Sequence, residues 1–523
     1  MASKPDIIIG IDAGTSVLKA VAFQFDGKQI ASFSVKNSYS VGTDGAATQS
    51  MNKTWEDCIT ALKGLGERIP KLPARVASVG VTGQGDGTWL MGKDGKPASD
   101  AWLWLDARAA KTVDTLSQSN LEAERFHATG TGLNTCQQGS QLAHMLLHEP
   151  ELLDGCTTAF HCKDWLYFNL TGIRATDPSE ASMTFGDFRT RDYNGTVIAS
   201  LGLLEQRHLL PDILDGTKTT HGLSDHAAAE TGLLAGTPIS LGYVDMIMTG
   251  LGAGIYTGED EVACSAIGST GVHMKAKKAA DIVLGADHTG YVLCLPCDDI
   301  VAQTQTNMAA TLNIDWILEV GADLVAQFGG RPSAQEMIEQ LDHWLAQSKP
   351  GSLLYHPYIS EAGERGPFVN SDARASIIGL NSNHKFADMV RAVVEGLGMA
   401  ARDCYSLMGE LPKELRITGG AARSEALRLT LSAALGAPVR VSAREEAGAA
   451  GCAMMAAVAI GAYENMNACI DQWAVPLLGK PERANDTLCD DYDHLFKAYK
   501  AARHGLEEPW SLMALARHRG FQS

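Results

Sequence analysis

Two strand-like runs joined by a turn of small residues occur at the start of the chain, and the same arrangement returns near its middle. The first copy spans Ile7 to Phe25, turns at Asp12 to Thr15, and is followed by a third strand at Gln29 to Val35. The second copy spans Val262 to Lys275 and turns at Gly268 to Gly271. Repetition of a supersecondary unit predicts two similar halves. We therefore expect two domains with a boundary near residue 255, at residues 1–254 and 255–523.

The length of the chain agrees with two domains, and its net charge limits the kinds of partner that it can bind. At 523 residues the chain is too long for one compact core. Hydrophobic residues make up 45% and charged residues 20%, which is typical of a globular protein. The formal net charge of -18 and the absence of a basic run predict a surface that repels nucleic acids and anionic membranes. A nucleotide still fits where magnesium and backbone N–H groups offset its charge.

The sequence contains no apolar signal segment and no run long enough to cross a bilayer, so we expect a cytoplasmic protein. Its most apolar run, Ala447 to Ala459, is short and predicts a buried helix. The 11 cysteines are scattered, which favours reduced thiols. Cys294 and Cys297 form a CxxC pair without a second pair or a nearby His. We expect them to be core thiols rather than zinc ligands.

The C-terminal half alternates helices and short strands around a glycine turn, which predicts an α/β layer with a ligand-sized gap at the turn. The predicted elements are helices at Lys385 to Gly409, Arg423 to Leu435 and Glu446 to Ile460, and strands at Leu415 to Thr418 and Val439 to Ser442.

The first small-residue turn has the composition of a phosphate site. Gly14 lets backbone N–H groups approach a phosphate, and Thr15 and Ser16 add hydroxyl donors. Asp12 is suited to hold a hydrated magnesium ion, and Lys19 to face the transferred phosphoryl group. The alternative is a plain hairpin turn in which Asp is a turn residue.

Two further turns have similar properties. Gly268 to Gly271 offers a second phosphate cradle, and two cradles in opposite halves favour a clamp on one polyphosphate. Gly419 and Gly420 leave room for a flat base or ribose against the backbone. The alternative for this third turn is an ordinary helix start, with Ser424 and Glu425 in the first turn.

Asp245 follows a strand-like run and precedes a small-residue helix. A carboxylate there can accept the proton of a substrate hydroxyl while the hydroxyl oxygen attacks phosphorus. The alternative is an N-cap for the helix that follows, a position that Asp favours.

Two N-terminal segments have the composition of a polyol pocket. Gln84 and Asp86 lie among glycines after a predicted strand, and Trp104 comes shortly before Asp106 and Arg108. Polyols need many hydrogen bonds and a flat apolar wall, and these residue types supply both. The alternative is a local ion pair between Asp106 and Arg108, with the tryptophan in the core.

Together these motifs resemble the FGGY family of carbohydrate kinases, over nearly the whole chain and in the family's order. The most specific elements are Ala375 to Gly379 and, after a fixed gap, Asp388 to Glu395. Lys163 to Leu166 and Asp177 to Ala181 are also similar to family landmarks. The resemblance implies an α/β chain with the two-domain actin-like ATPase fold shared by sugar kinases and heat-shock ATPases, with ribonuclease H-like sheets and a central cleft.

The resemblance also implies ATP and Mg2+ as cofactors and a small sugar or polyol as acceptor. The residues given these implied roles are Asp245 as catalytic base; Asp12 for magnesium through water; Gly14, Thr15, Ser16, Lys19, Gly268, Ser269, Thr270 and Gly271 for the phosphates; Gly419, Gly420, Ala421 and Ser424 for the adenosine part; and Gln84, Asp86, Trp104, Asp106, Arg108 and Asp245 for the acceptor. Which residue of the segment 303–316 contacts adenine is left open.

Differences between this sequence and other members of the family limit the choice of acceptor. Glycerol kinases have Arg-Glu, and D-xylulose kinases Met-His, where this chain has Gly85 and Asp86, which favours a polyol longer than glycerol. Gln84 to Trp89, Trp102 to Arg108 and His356 to Phe368 are most similar to family members that phosphorylate erythritol. We therefore expect erythritol as acceptor, at a primary hydroxyl.

Alternatives remain at the level of function. L-xylulose kinases, or kinases of another pentulose or pentitol, have a similar Gly-Gln-Gly turn. From other classes, a nucleotide-gated sugar-binding protein would not need the base, and a sugar sensor would normally bring a basic DNA-binding segment, which the sequence does not show. A homodimer is compatible with the sequence.

Overall fold

The structure, a computed structural model, describes residues 5–258 and 262–520. The predicted lack of a signal segment before Pro5 therefore lies outside the described residues. Each half of the chain is built on one six-stranded mixed sheet.

The N-terminal sheet has the order β5-β6-β4-β1-β2-β3. Strands β1, β2 and β3 form an antiparallel meander, and β4 and β6 continue the sheet in parallel from β1. The strands are β1 at Ile7–Ala13, β2 at Val17–Gln24, β3 at Gln29–Lys36, β4 at Val76–Gly83, β5 at Thr220–Gly222 and β6 at Pro238–Leu241.

The C-terminal sheet repeats this topology in the order β12-β11-β7-β8-β10-β9. Strands β7, β8 and β10 form the meander, and β11 and β12 are parallel to β7. The strands are β7 at Val262–Ile267, β8 at Gly271–Lys278, β9 at Tyr291–Cys294, β10 at Ile300–Asn307, β11 at Glu414–Thr418 and β12 at Val439–Val441. The repeat predicted from two local units is therefore a repeat of the whole five-stranded core of the sheet, and the expected two-domain α/β fold is confirmed.

Helices cover the two sheets and connect them. In the N-terminal half they are Met51–Arg68, Leu72–Arg75, Ala110–Ser117, Glu122–Thr129, Gln138–His148, Pro150–Asp154, Cys162–Thr171, Pro178–Phe185, Gly195–Ser200, Asp225–Thr231 and Asp245–Gly252; in the C-terminal half they are Thr311–Ala326, Ala334–Glu339, Leu341–Gln347, Phe386–Ser406, Glu425–Leu435, Ala447–Ala459, Met466–Trp473, Asp486–Gly505 and Glu507–Gly520.

Short strands complete the fold around these layers. They are Ser40–Val41, Ala47–Gln49, Trp89–Gly92, Ala101–Trp102, Cys156–Phe160, Ala175–Thr176, Gly186–Asp187, Asp192–Tyr193, Asp212–Ile213, Leu354–His356 and Ser376–Ile378.

The helix Ala447–Ala459 comes from the C-terminal half but packs on the N-terminal sheet. Glycines make this close approach possible. A β-carbon on Gly10 would lie 2.0 Å from the carbonyl oxygen of Ala449, and one on Gly80 would lie 2.2 Å from that of Cys452. Side chains at these two positions would push the helix away, so glycine is required for the packing.

The same helix packs against the helix Asp245–Gly252 so closely that the two backbones are in contact. A β-carbon on Gly252 would lie 2.1 Å from the carbonyl oxygen of Ala447, and one on Gly451 would lie 2.2 Å from that of Met248. The pair of helices therefore joins the two sheets, and it places the start of each helix in the space between the halves.

The element boundaries differ from the predictions by a few residues. The predicted helix Lys385 to Gly409 spans Phe386–Ser406, and the predicted helix Glu446 to Ile460 spans Ala447–Ala459. The predicted helix from Arg423 is wrong at its start, because Gly420–Arg423 forms a 3-10 turn and the α-helix begins at Glu425.

The cysteines of the described residues are free, and ten of the eleven are buried. Cys294 is inaccessible and Cys297 is 8% exposed, as expected of core thiols. Among the described residues, no helix is both long and apolar enough to span a bilayer.

Candidate active site

A cavity of about 360 Å3 lies between the halves, with walls from both. Six residues predicted to carry function line it, namely Thr15, Gln84, Asp86, Trp104, Asp245 and Thr270. Residues separated widely in the sequence therefore meet in one cleft, and each of the two predicted phosphate turns contributes one residue to it, Thr15 and Thr270.

A chain of hydrogen bonds fixes the N-terminal wall of this cavity. Trp104 Nε1 donates to Thr15 Oγ1 at 2.8 Å, and that hydroxyl donates to Gln84 Oε1 at 2.9 Å. Gln84 Nε2 in turn donates to Gln49 Oε1 at 2.7 Å. The indole and the amide are thus held in one orientation, which prepares the wall for a ligand. Gln49 was not identified from the sequence.

Asp12 lies at the end of β1, where the N-terminus of Ala447–Ala459 approaches it. A β-carbon on Gly448 would lie 2.3 Å from Asp12 Oδ2. The pKa of Asp12 is raised to about 6, chiefly by burial and also by the charge of Glu446, whereas the charge of Lys19 lowers it. A cation near Asp12 would therefore be stabilised strongly, because the ionised carboxylate lacks full compensation from the protein.

Lys19 and Glu446 form an ion pair across the halves, with Nζ and Oε2 2.7 Å apart. The Lys19 side chain is 35% exposed. Its predicted contact with a phosphoryl group stays a prediction, and Glu446 is the partner that it would have to leave.

Asp245 is the first residue of its helix, so it is not the N-cap that the alternative interpretation required. The cap is Val244, which makes no side-chain capping bond. The pKa of Asp245 is raised to about 7, chiefly by burial and also by the charge of the nearby Asp12, against a backbone hydrogen bond from Met246 that lowers it. A carboxyl group with this pKa can accept a proton near neutral pH and release it again.

The second small-residue turn lies against the N-terminus of the helix Thr311–Ala326. The carbonyl of Gly268 accepts from Thr311 N at 3.0 Å, and that of Ser269 accepts from Ala310 N at 2.7 Å. Ser269 and Thr270 are exposed. Their contact with the phosphates stays a prediction. Gly271 is buried at the start of β8.

The third turn meets the second. Gly419 has φ +88, and a β-carbon there would lie 2.6 Å from the carbonyl oxygen of Ile267. The turn therefore depends on glycine at this position. Gly420 is exposed and Ala421 is buried. Ser424 is the N-cap of the following helix and accepts from Leu427 N at 3.2 Å. The segment is therefore a helix start, as in the alternative interpretation, but Ser424 precedes the first turn instead of lying in it.

Asp86 has a left-handed backbone with φ 55. Cys136 Sγ lies 3.4 Å from Asp86 Oδ2, whereas Oδ1 is buried without a hydrogen-bond partner. Burial raises the pKa of Asp86, while the Cys136 hydrogen bond and the charges of His161 and Arg365 lower it. The open acceptor atom Oδ1 is available for a hydroxyl donor.

Asp106 and Arg108 do not line this cavity. Arg108 Nη2 lies 2.7 Å from Asp106 Oδ2, which also accepts from Ala47 N at 2.9 Å. The Arg108 guanidinium lies 3.3 Å from the centre of the Trp102 ring. The structure therefore favours the local ion pair, and a contact of these residues with an acceptor stays a prediction.

A cluster of buried charged side chains lies near Asp86 and Asp245. Lys163 Nζ lies 2.7 Å from Asp164 Oδ1 and 2.6 Å from Asp177 Oδ2, and all three side chains are inaccessible. Glu180 is also inaccessible, and its Oε2 lies 3.3 Å from His161 Nε2 without a hydrogen bond of good geometry. Burial raises the pKa of Glu180 well above the usual value, while Lys163 lowers it. The sequence marked these residues only as family landmarks.

The cluster reaches Asp245 through the backbone. Asp177 Oδ1 accepts from Ser179 N at 2.8 Å, and Ser179 Oγ accepts from Val244 N at 3.1 Å. Val244, the residue before Asp245, is therefore connected through Ser179 to the buried carboxylate of Asp177.

Several cavity residues from the C-terminal half were not assigned a role from the sequence, because most of them are apolar or neutral residues within strands. They are Val272, Met274, Tyr291, Leu293, Thr306, Asn307, Met308 and Arg365. Arg365 lies within the segment His356 to Phe368, whose family similarity was the available signal.

Comparison with known proteins agrees with the two-domain fold. Residues 7–252 match the N-terminal domain of the FGGY family of carbohydrate kinases, and residues 267–460 match its C-terminal domain. The chain belongs to this family.

Individual relatives are similar over nearly their full length. An erythritol kinase of Brucella abortus (strain 2308) is 62% identical over 514 residues, which cover 98% of this chain and 99% of the relative. An L-xylulose/3-keto-L-gulonate kinase of Escherichia coli (strain K12) is 25% identical over 467 residues, covering 88% and 89%. The crystal structure of a gluconate kinase from Lactobacillus acidophilus has the same fold, with a TM-score of 0.87, 20% identity, and coverage of 98% and 99%.

Proposed function

We propose that this protein transfers the γ-phosphoryl group of ATP to a primary hydroxyl of erythritol, giving erythritol phosphate and ADP. The observation that carries this proposal is the 62% identity to the Brucella erythritol kinase over 98% of the chain. The shared cavity of Asp86, Asp245 and Thr270 supports it, because it joins acceptor groups, a carboxylate and a phosphate-type turn.

In this proposal the N-terminal domain, residues 1–254, holds the acceptor and the first phosphate turn, and the C-terminal domain, residues 255–523, holds the nucleotide. Gln84, Asp86 and Trp104 offer hydrogen bonds and a flat apolar face to the polyol. Asp106 and Arg108 would affect the acceptor indirectly, because their ion pair fixes the segment that carries Trp104.

The carboxylate of Asp245 is the base. The acceptor hydroxyl oxygen forms a bond to the γ-phosphorus, the bond from that phosphorus to the β–γ bridging oxygen breaks, and the hydroxyl proton passes to Asp245. Since phosphoryl transfer has a loose transition state, the base mainly orients the hydroxyl and takes the proton late. A pKa of about 7 suits this task near neutral pH.

The phosphates would lie between Gly14, Thr15 and Ser16 on one side and Gly268 to Gly271 on the other. Backbone N–H groups and exposed hydroxyls are the donors that such turns present. Gly419, Gly420, Ala421 and Ser424 would border the adenosine part, with the Ser424 hydroxyl hydrogen still free to donate.

Asp12 fits a magnesium ion that arrives with ATP. Its hard oxygen ligands lie beside a glycine whose β-carbon would fill the same space. The described residues include no cluster of three metal-ligating side chains, so a cation would take its other ligands from phosphate and water, as Mg2+ does. When bound, the ion neutralises phosphate charge.

The test is a coupled assay for ADP release with purified protein, ATP and a panel of erythritol, glycerol, xylitol, ribitol and L-xylulose. We expect the highest kcat/KM with erythritol. Dominance of L-xylulose would favour the alternative that the 25% identical L-xylulose/3-keto-L-gulonate kinase represents. ATP binding without ADP release on any acceptor would overturn kinase activity and favour a nucleotide-gated binding protein.

A further inference from the structure

Arg365 enters the cavity from the C-terminal half, opposite Asp86. It is half-buried, and no hydrogen bond or ion pair of its guanidinium group occurs within residues 5–258 and 262–520. A guanidinium carries five donors in a fixed fork and stays charged at all physiological pH values. Leaving such a group partly buried without acceptors is unfavourable, so this position indicates a ligand.

The backbone of Arg365 is held firmly, which makes the side-chain position a feature of the fold. The Glu364 carboxylate accepts from Met308 N and from Arg365 N, both at 2.9 Å. Asn307 Nδ2 donates to the carbonyl of Gly366 at 2.8 Å. The residues before and after Arg365 are therefore tied to the end of β10, which itself forms part of the cavity wall.

The cavity residues near Arg365 are one acidic side chain and two neutral side chains. Its charge acts on Asp86, Cys136 and Tyr291, all of which line the cavity. Asp86 and Arg365 are nevertheless too far apart for an ion pair in the described structure, because no such pair within 4.0 Å is formed. A gap between a carboxylate with a free oxygen and a guanidinium with free donors suits a molecule that both donates and accepts.

We propose that Arg365 binds the acceptor and determines its length, by donating to hydroxyl oxygens at one end of the polyol while Asp86 accepts from hydroxyl groups on the other side. The inference rests on the proposed function, which it deepens by naming the acceptor contact supplied from the C-terminal half. A polyol that spans the gap joins the two halves, whereas a shorter polyol satisfies only one of the two groups. Acceptor binding would therefore favour the closed cleft, which excludes water as a competing nucleophile.

The experiment compares wild type with Arg365→Gln and Arg365→Lys, using the acceptor of highest wild-type kcat/KM in the panel. We expect the acceptor KM to rise about 10- to 100-fold in Arg365→Gln, the range for loss of hydrogen bonds to a charged group. Arg365→Lys keeps the charge without the fork and should lie between. The KM for ATP should change less than about 3-fold, because Arg365 is proposed to contact the acceptor and not the nucleotide.

Arg374→Gln is the matched control, because Arg374 belongs to the same segment but its guanidinium donates to the carbonyls of Glu361, Ser371 and Ala373. We expect its acceptor KM to match wild type. The ratio of kcat/KM for erythritol to that for glycerol should fall in Arg365→Gln, since the longer polyol loses the contact that the shorter one lacks.

The outcomes separate the two proposals. If wild type prefers another acceptor, the erythritol proposal fails and the Arg365 comparison is made on that acceptor. If both Arg365 variants keep the acceptor KM within about 2-fold, or raise only the KM for ATP, the Arg365 inference is overturned while the kinase function stands. If Arg365→Gln melts well below wild type, the decision rests on Arg365→Lys and on its acceptor KM at a temperature where it is folded.

Discussion

Gly448 lies so close to Asp12 that a β-carbon on the glycine would be 2.3 Å from the carboxylate oxygen Oδ2. The two residues come from opposite halves of the chain, and they meet because the helix Ala447–Ala459 packs on the end of β1. This contact leaves no space for another side chain beside the buried carboxylate.

We predict that Gly448→Ala lowers kcat by about 100-fold, because the methyl group displaces the carboxylate that is proposed to serve magnesium, and a shift of about 1 Å has effects of this size. Steady-state kinetics with varied Mg2+ would also show a higher magnesium requirement. Gly66→Ala is the control, since Gly66 lies in a helix with open space around its Cα. It should keep full activity and gain about 0.5–1 kcal/mol of stability. Equal activity of the two variants would contradict the proposed role of Asp12.

Asp245→Asn should lose about 100- to 10,000-fold in kcat, the range for removing a general base, while the KM for ATP changes little. The amide has nearly the same shape but cannot take the hydroxyl proton. Single-turnover assays with saturating ATP and acceptor would measure the chemical step directly. A kcat within a few-fold of wild type would exclude Asp245 as the base.

The activity of wild type should depend on the ionisation of Asp245. Because its pKa is raised to about 7, kcat/KM for the acceptor should rise tenfold per pH unit below pH 7 and level off above it. Asp12 contributes to the raised pKa, so the residual activity of Asp12→Asn should show a midpoint at lower pH. A midpoint below pH 5 in wild type would contradict the assignment.

The same carboxyl group should affect stability with a defined sign. Its pKa is higher in the folded state than the unfolded value of about 4, so folding favours the protonated form. The stabilisation is complete below pH 4 and is lost as the pH rises through 7. Asp245→Asn should therefore melt a few degrees above wild type at pH 8 and close to it at pH 4, by calorimetry at both pH values. The same difference in melting temperature at both pH values would show that Asp245 ionises in the folded protein without cost.

Lys163→Met should destabilise the protein by about 3–5 kcal/mol at neutral pH, because it leaves Asp164 and Asp177 buried without a counter-charge. In wild type, burial alone would raise the pKa of Asp164, but Lys163 and His161 together outweigh burial, so that the pKa is lowered to about 2. The deficit should shrink toward pH 5, where the unpaired acids can be protonated. Denaturant midpoints at both pH values would measure it.

Lys218→Met is the control for this variant. Lys218 lies 3.1 Å from Asp215 Oδ2, but its side chain is 66% exposed, and surface pairs of this kind contribute at most about 1 kcal/mol. A similar loss in both variants would contradict the distinct role of the buried cluster.

Local patterns determined much of the architecture. Alternating strands around small-residue turns predicted both meanders, and helical spacing predicted Phe386–Ser406 to within three residues at either end. These features depend on neighbours along the chain, so periodicity and turn chemistry are enough to predict them. The chemical residue types of the site, an acid after a strand and glycines at turns, were visible for the same reason.

Tertiary packing decided what these residues contact. Lys19 pairs with Glu446, 427 residues away in the sequence, and Arg365 meets the cavity of Asp86 only because two sheets pack around a helix pair. Asp106 has the composition of a ligand residue, yet its oxygens bind Arg108 and the backbone of Ala47. No local pattern carries such information, because the partner of a charged side chain is fixed by where distant segments come to lie. Local sequence patterns predict most of the elements and the candidate groups, whereas the approach of the two halves sets which of these groups face one cleft.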